Sequence, residues 1–294
     1  AQSSPATSST IKSLYTNTYY VRKGATGTQD GSDWTNAFPA LPDPLERGAI
    51  YYLADGEYPD YTFDDAESAN LYITVKKATP ADHGTDVGWQ DSYGDGFALF
   101  HYLYIKTSYW VIDGSHRISK DSGHGIRIVI PGDKGSSVQE HGITVRGSLA
   151  STHINHITIK YVEFTSAIDD YPTGTQWAVK NGYEHTPGGD NVYIGYSYFH
   201  HLIGPMQRTR MQNGAIIEHN YYDDNKSYQS GPHGDAIQLW GTPDSSVYSE
   251  NSVIRYNEFR NIEGTSFINL AWGISNLHIY GNIFYYSPGA PQAG

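Results

Sequence analysis

The chain of 294 residues contains no cysteine. Disulfides therefore do not hold it together, and thiolate metal sites are excluded. Positive charge is scarce: 19 Lys and Arg stand against 31 Asp and Glu, a formal net charge of −12. That balance argues against a nucleic-acid partner. It also argues mildly against an acidic polysaccharide, unless cations bridge the two. No run of eighteen apolar residues occurs, so no membrane span is expected. No stretch reads as a secretory signal, and Ala1-Gln2-Ser3-Ser4 would suit a mature end after cleavage. An extracellular or cell-surface location is the expectation. What is plentiful is tyrosine, 26 residues, alongside 6 Trp. Tyr suits pleated, half-buried surfaces. Its ring also offers sugars an apolar face and a polar tip.

Five segments share one pattern. They are Ile157-Thr-Ile159-Lys-Tyr-Val162-Glu-Phe164, Val192 to Phe199, Ala215 to Tyr222, Ser252 to Phe259 and Leu277 to Phe284. Each has an apolar or small residue, then Ile, a three-residue step to a mostly small or polar residue, and an aromatic two further on. The Ile positions, 159, 194, 217, 254 and 279, are separated by 35, 23, 37 and 25 residues. A fixed strand pattern at irregular intervals implies stacked coils joined by loops of variable length. No coil buries its apolar face alone, so neighbours stack into one core. Ile159 and its equivalents are expected in one inward column. Phe164, Phe199, Tyr222, Phe259 and Phe284 are expected in a second. Asn220, Asn257 and Asn282 recur at the bend between them, where Asn tolerates bent backbone and can form a ladder of buried amides.

A second strand type lies between these segments. Ile126-Arg127-Ile128, Ile143-Thr144-Val145, Val179-Lys180, Ile237-Gln238-Leu239 and Ile268-Asn269-Leu270 alternate apolar-in, polar-out. Their outward residues, Arg127, Thr144, Lys180, Gln238 and Asn269, should form one exposed column. Gln207 or Arg208 would supply the missing rung. Three of these strands follow His-Gly steps, at His124, His141 and His233.

These repeats, with Tyr19-Tyr-Val-Arg-Lys-Gly24, Asp30-Gly-Ser-Asp-Trp34, Ala49-Ile-Tyr-Tyr-Leu-Ala-Asp-Gly56, Ala81-Asp-His-Gly84 and Val111-Ile-Asp-Gly114, resemble right-handed parallel β-helix proteins of the pectate-lyase-like superfamily. The resemblance spans roughly residues 19–286 and implies an all-β solenoid. It is specific for fold and weak for function, because one fold hosts many activities.

The organisation expected is an N-terminal arm, 1–18, followed by a single β-helix domain, 19–294. Within it, 33–47 would cap the first coil. Trp34, Phe38, Leu41 and Leu45 suit a short helix there, shortened or broken by Pro39, Pro42 and Pro44. Coils run over 48–286, with long insertions at 80–98, 131–140, 165–190 and 223–234. The stretch 287–294 carries no apolar face and would leave the last coil uncapped.

Two functions follow. The first is an extracellular structural subunit that assembles head-to-tail into a fibre with copies of itself. Its open end, Leu277, Ile279 and Phe284, would receive the arm of the next copy through Ile11 and Leu14. The alternative is a polysaccharide lyase-like or glycoside-hydrolase-like enzyme, or a sugar-binding β-helix. For that reading Lys180, Arg208, His233 and Asp235 are the catalytic candidates, with Arg127, Gln238, Trp240, Asn269 and Trp272 holding carbohydrate. A lyase needs a base and a cation beside a uronate carboxylate. A hydrolase needs two carboxylates about one bond, and Asp169, Asp170, Glu184, Asp223, Asp224 and Asp235 are available. The parity of Asp235 with Ile237 and Leu239 points it inward or at a bend. No metal site and no cofactor is signalled. The resemblance leaves room for calcium, but the carboxylate cluster that would hold it is not recognisable.

Overall fold

The computed structural model describes residues 17–131, 139–147, 153–167, 175–182, 188–210, 212–226, 234–241 and 249–289. Its strands form three long sheets of nine, eight and seven members, all pairing in parallel, and one small two-stranded sheet. One coil takes a strand from each long sheet in turn: Asn155–Lys160 in the first, Val162–Ser166 in the second, Thr175–Asn181 in the third. The next coil repeats this with Asp190–Gly195, Tyr198–Ile203 and Gln207–Arg210. The result is a right-handed parallel β-helix, the hand that parallel crossovers adopt.

Both inward columns form as the repeat predicts. Ile159, Ile194, Ile217, Ile254 and Ile279 are register partners along the first sheet. On the second sheet the rings of Phe164, Phe199, Tyr222, Phe259 and Phe284 stack at 4.7, 4.7, 4.8 and 4.8 Å. Such pairs add roughly 0.5–1.5 kcal/mol each beyond their buried area. Ile159 and Ile254 are fully buried, whereas Ile279 and Phe284 are 41% and 44% exposed. The coil that carries them is the last among the described residues.

The bend from first to second sheet explains the recurrent asparagines. Asn220 Oδ1 accepts from the Ser197 amide at 2.9 Å, and its Nδ2 donates to the Ile194 carbonyl at 2.9 Å. Asn257 Oδ1 accepts from the Asn220 amide and side chain at 3.0 and 3.1 Å, and Asn282 does the same for Asn257 at 3.0 and 3.0 Å. Buried backbone groups at the corner are thereby satisfied. The residue before each ladder position is left-handed: Tyr161, Tyr196, His219 and Tyr256 have φ of 56°, 54°, 57° and 55°. That conformation costs side-chain-bearing residues about 1–2 kcal/mol. Their rings stack outside the corner at 5.2, 4.8 and 5.3 Å, which offsets part of it. Part of the tyrosine excess thus makes a ladder on the outside of the solenoid.

Three expectations need correction. The segment 33–47 holds no helix but a series of turns. Asp33 Oδ1 accepts from the amides of Thr35 and Asn36 at 2.8 and 2.8 Å, closing a turn where a helix would have started. The first strand runs Asn17–Val21, so the proposed arm boundary at 18 cuts into it. Residues 1–16, with Ile11 and Leu14, lie outside the described residues. Arg127 does not join the column of Lys180. Its strand, Ile126–Ile130, pairs within the second sheet, where Arg127 faces Glu163.

Candidate functional site

The outer face of the third sheet gathers most of the residues singled out above. Thr144, Lys180, Arg208, Gln238 and Asn269 are successive register partners pointing away from the core, but the column is not exposed as expected: Thr144, Lys180 and Gln238 are buried, at 5%, 1% and 2% exposure. The missing rung is Arg208. Gln207 points the other way, fully buried, and accepts a bond from Tyr222 Oη at 2.8 Å. Tyr104 extends the outward column at its near end.

A second column, three residues earlier on each strand, was not foreseen. His141 and Trp177 are partners in it, their rings stacked at 5.3 Å. Asp235 and Ser266 hold the same offset from Gln238 and Asn269. The signal was present in the sequence, because His141, Trp177 and Asp235 each stand three before an outward residue.

The two columns interlock. Lys180 Nζ lies 3.2 Å from His141 Nε2 and 3.9 Å from the centre of the Trp177 ring. The Arg208 guanidinium sits between Trp177 and Trp240, 5.0 and 4.6 Å from their centres. Arg210 approaches Trp240 at 5.6 Å. Cation–ring contacts of this kind are worth about 0.5–2 kcal/mol. The indole N–H groups of Trp177 and Trp240 are buried and make no hydrogen bond. A buried donor left without a partner costs about 1–3 kcal/mol. Trp272, 47% exposed, meets Trp240 edge-on at 5.0 Å and marks the open end of the face.

Burial, then the charges of Lys180 and Arg146, push the His141 imidazole down to about 3. It is neutral at ordinary pH, with Nε2 facing Lys180 Nζ. Asp235 is fully buried at the bend. Its carboxylate accepts from Gln238 Nε2 at 2.6 Å, Ser266 Oγ at 2.7 Å and Asn269 Nδ2 at 3.0 Å. It therefore fixes the two outward amides and is not placed to remove a proton itself. His233 and Glu184 lie outside the described residues, as do Asp169 and Asp170. Asp223 and Asp224 belong to the second sheet. Among the described residues no three His, Asp or Glu side chains come together as metal ligands. No helix there is long and apolar enough to cross a membrane.

No family model and no curated protein matches the chain. Among solved structures it is similar to a native GH136 lacto-N-biosidase from Eubacterium ramulus, at 12% identity and a TM-score of 0.40. The match covers 94% of this chain and 57% of that one, so the chain spans little more than half of that protein.

Proposed function

We propose that the outer face of the third sheet binds an acidic polysaccharide and cleaves it by β-elimination. The observation that carries this is Lys180 beside Arg208, one rung apart, over Trp177 and Trp240. Arg208 would hold a uronate carboxylate and the charge that builds on it. Lys180, which is 1% exposed, would need its amine form and access to the bound sugar to take the proton from the carbon beside that carboxylate. The electron pair left behind forms the ring double bond, the neighbouring C–O bond breaks, and the departing oxygen takes a proton from solvent. Gln238, Asn269 and Trp272 would bind the next sugar unit. Hydrolysis fits less well, because it needs two carboxylates roughly 5–9.5 Å apart. Among the described residues this face offers Asp235.

The test is incubation with pectate, alginate and hyaluronan while following the ultraviolet absorbance of the unsaturated product. Product should form on one of them and fall by about 100-fold or more in Lys180→Ala and Arg208→Ala. No product, and no retardation of any of the three in affinity electrophoresis, would sink the reading.

A second reading, head-to-tail self-assembly, is favoured by the last described coil. Ile279, Ile283 and Phe284 are 41%, 59% and 44% exposed, on strands that stand last in their sheets among the described residues. Covering apolar surface is worth about 25 cal/mol per Å². Light scattering of the full chain should show concentration-dependent growth that Ile283→Lys abolishes. A monomer at every concentration would remove this reading and leave the first untouched.

A further inference from the structure

A cleft of about 770 Å³ lies on a different part of the solenoid, against the second sheet. Its origin is visible in the chain. In later coils the step from first to second sheet takes one or two residues, as at Tyr161 or at Tyr196 and Ser197. In two adjacent coils it is stretched, to 20 residues (78–97) and 12 residues (114–125). Long connections on a rigid scaffold commonly carry binding functions. These two stand side by side and enclose the cleft, whose volume suits a small organic ligand.

The lining specifies the ligand's chemistry. Its cations are paired, Lys76 with Asp82 at 2.5 Å and Arg127 with Glu163 at 2.9 Å, while the exposed Asp95 adds a carboxylate near Lys77, which already pairs with Asp55 at 2.7 Å. Arg127 also lies flat on Phe97, 3.9 Å from the ring centre. A charged ligand would have to break these pairs. Apolar surface comes from Pro80, Phe97 and Ile118, the last 82% exposed at the rim. Among the buried groups of the lining His124 stands apart. It lines the cleft at 2% exposure, stacked on Tyr198, and neither ring nitrogen makes a hydrogen bond of normal geometry. The backbone of Tyr196 lies near enough to favour its charged form slightly, but burial dominates and lowers its pKa to about 4. A neutral imidazole offers one donor and one acceptor, the complement of a hydroxyl group.

We infer that this cleft is a second binding site, separate from the cationic face, for a neutral saccharide. An apolar ring face would rest on Phe97 and Ile118, and a hydroxyl would satisfy His124. The inference does not depend on elimination chemistry at the third sheet.

The test is saturation-transfer NMR of the full chain with lactose, cellobiose and maltose at millimolar concentration. At least one should give a signal that survives Arg208→Ala and falls by about tenfold in His124→Phe, which keeps the ring on Tyr198 but removes both nitrogens. Phe97→Ala, in a loop, gives a second readout should His124→Phe fail to fold. No signal from any of the three sugars overturns the proposal. So does a signal unchanged in folded His124→Phe, or one lost in Arg208→Ala, which would place the sugar on the cationic face.

Discussion

Two outer faces of the same solenoid treat charge in opposite ways. On the second sheet, cations alternate with anions from rung to rung. Glu163 receives Arg127 at 2.9 Å and His200 at 3.1 Å, Asp223 pairs with Arg260, and Glu258 with Lys120. Burial alone would push the Glu163 carboxyl up, but His200 and Arg127 together hold it below its ordinary range. On the third sheet Lys180 is followed by Arg208, with Arg146 and Arg210 close by and Trp rings between. Strands sit about 4.8 Å apart, so like charges on neighbouring rungs repel by something on the order of a few kcal/mol. This clustering of cations and rings on one face, in a chain of net charge −12, is the feature on which the proposed polysaccharide reading rests. The overall charge, read alone, argued against an acidic polysaccharide, because an average conceals where the cations gather.

Histidine titration breaks or sharpens this contrast with the largest expected effect on stability. His141 faces the cations Lys180 and Arg146, whereas His124, near the second sheet, has Glu163 partly opposing its burial. Both pKa values are depressed from 6.5, to about 3 and about 4. Folding with a depressed imidazole is unpenalised above pH 6.5. As pH falls below that value the unfolded chain binds a proton that the folded chain refuses. Stability therefore drops until the folded pKa is passed. Over two to three pH units the loss is about 3 kcal/mol per histidine. Denaturant unfolding of wild type and His141→Phe between pH 6.5 and 4.5 isolates the term before most carboxylates titrate. The variant's stability should fall less steeply. Equal slopes would mean that His141 is solvated, and that the third-sheet face is less crowded with charge than its geometry indicates.

Much of this was legible in the sequence, and what was not has identifiable causes. The isoleucine and phenylalanine columns, the asparagine ladder and the rungs Thr144, Lys180, Gln238 and Asn269 follow from a two-residue period and a repeated bend. Arg127 went to the wrong sheet because Ile126-Arg127-Ile128 has the same in-out-in pattern as Ile237-Gln238-Leu239. Alternation fixes which side of a sheet a residue faces, not which sheet it is in. That is set by distance from the preceding bend, and the 12-residue connection before Ile126 hides it. Trp177 escaped notice because its column depends on an offset between strands and not on a motif within one. His124 read as a turn element, since nothing local shows that two loops close over it. Asp235 pointed at a bend, as its parity suggested, but two of its three hydrogen bonds, from Ser266 and Asn269, come from a coil that only stacking brings alongside.

The smallest effect belongs to the charge ladder of the second sheet, and it tests whether that face is as inert as it looks. Lys120 reaches from the 114–125 connection to Glu258 and also covers the ring of Tyr221 at 4.3 Å. The two paired side chains are 40% and 24% exposed. Water and salt therefore screen the pair, and exposed ion pairs measure at about 0.2–1 kcal/mol. The cation–ring contact adds an amount of the same order. Lys120→Ala should cost about 1 kcal/mol, a shift of about 2–4 °C in Tm for a chain of this size. It should leave polysaccharide turnover unchanged. Raising the salt concentration should shrink the difference further, because the pair lies where mobile ions reach it. A loss of several kcal/mol would show that the 114–125 connection is pinned mainly by this lysine, and that the second sheet stores much of its stability in charge. A loss of turnover would join the two faces functionally and end the contrast between them.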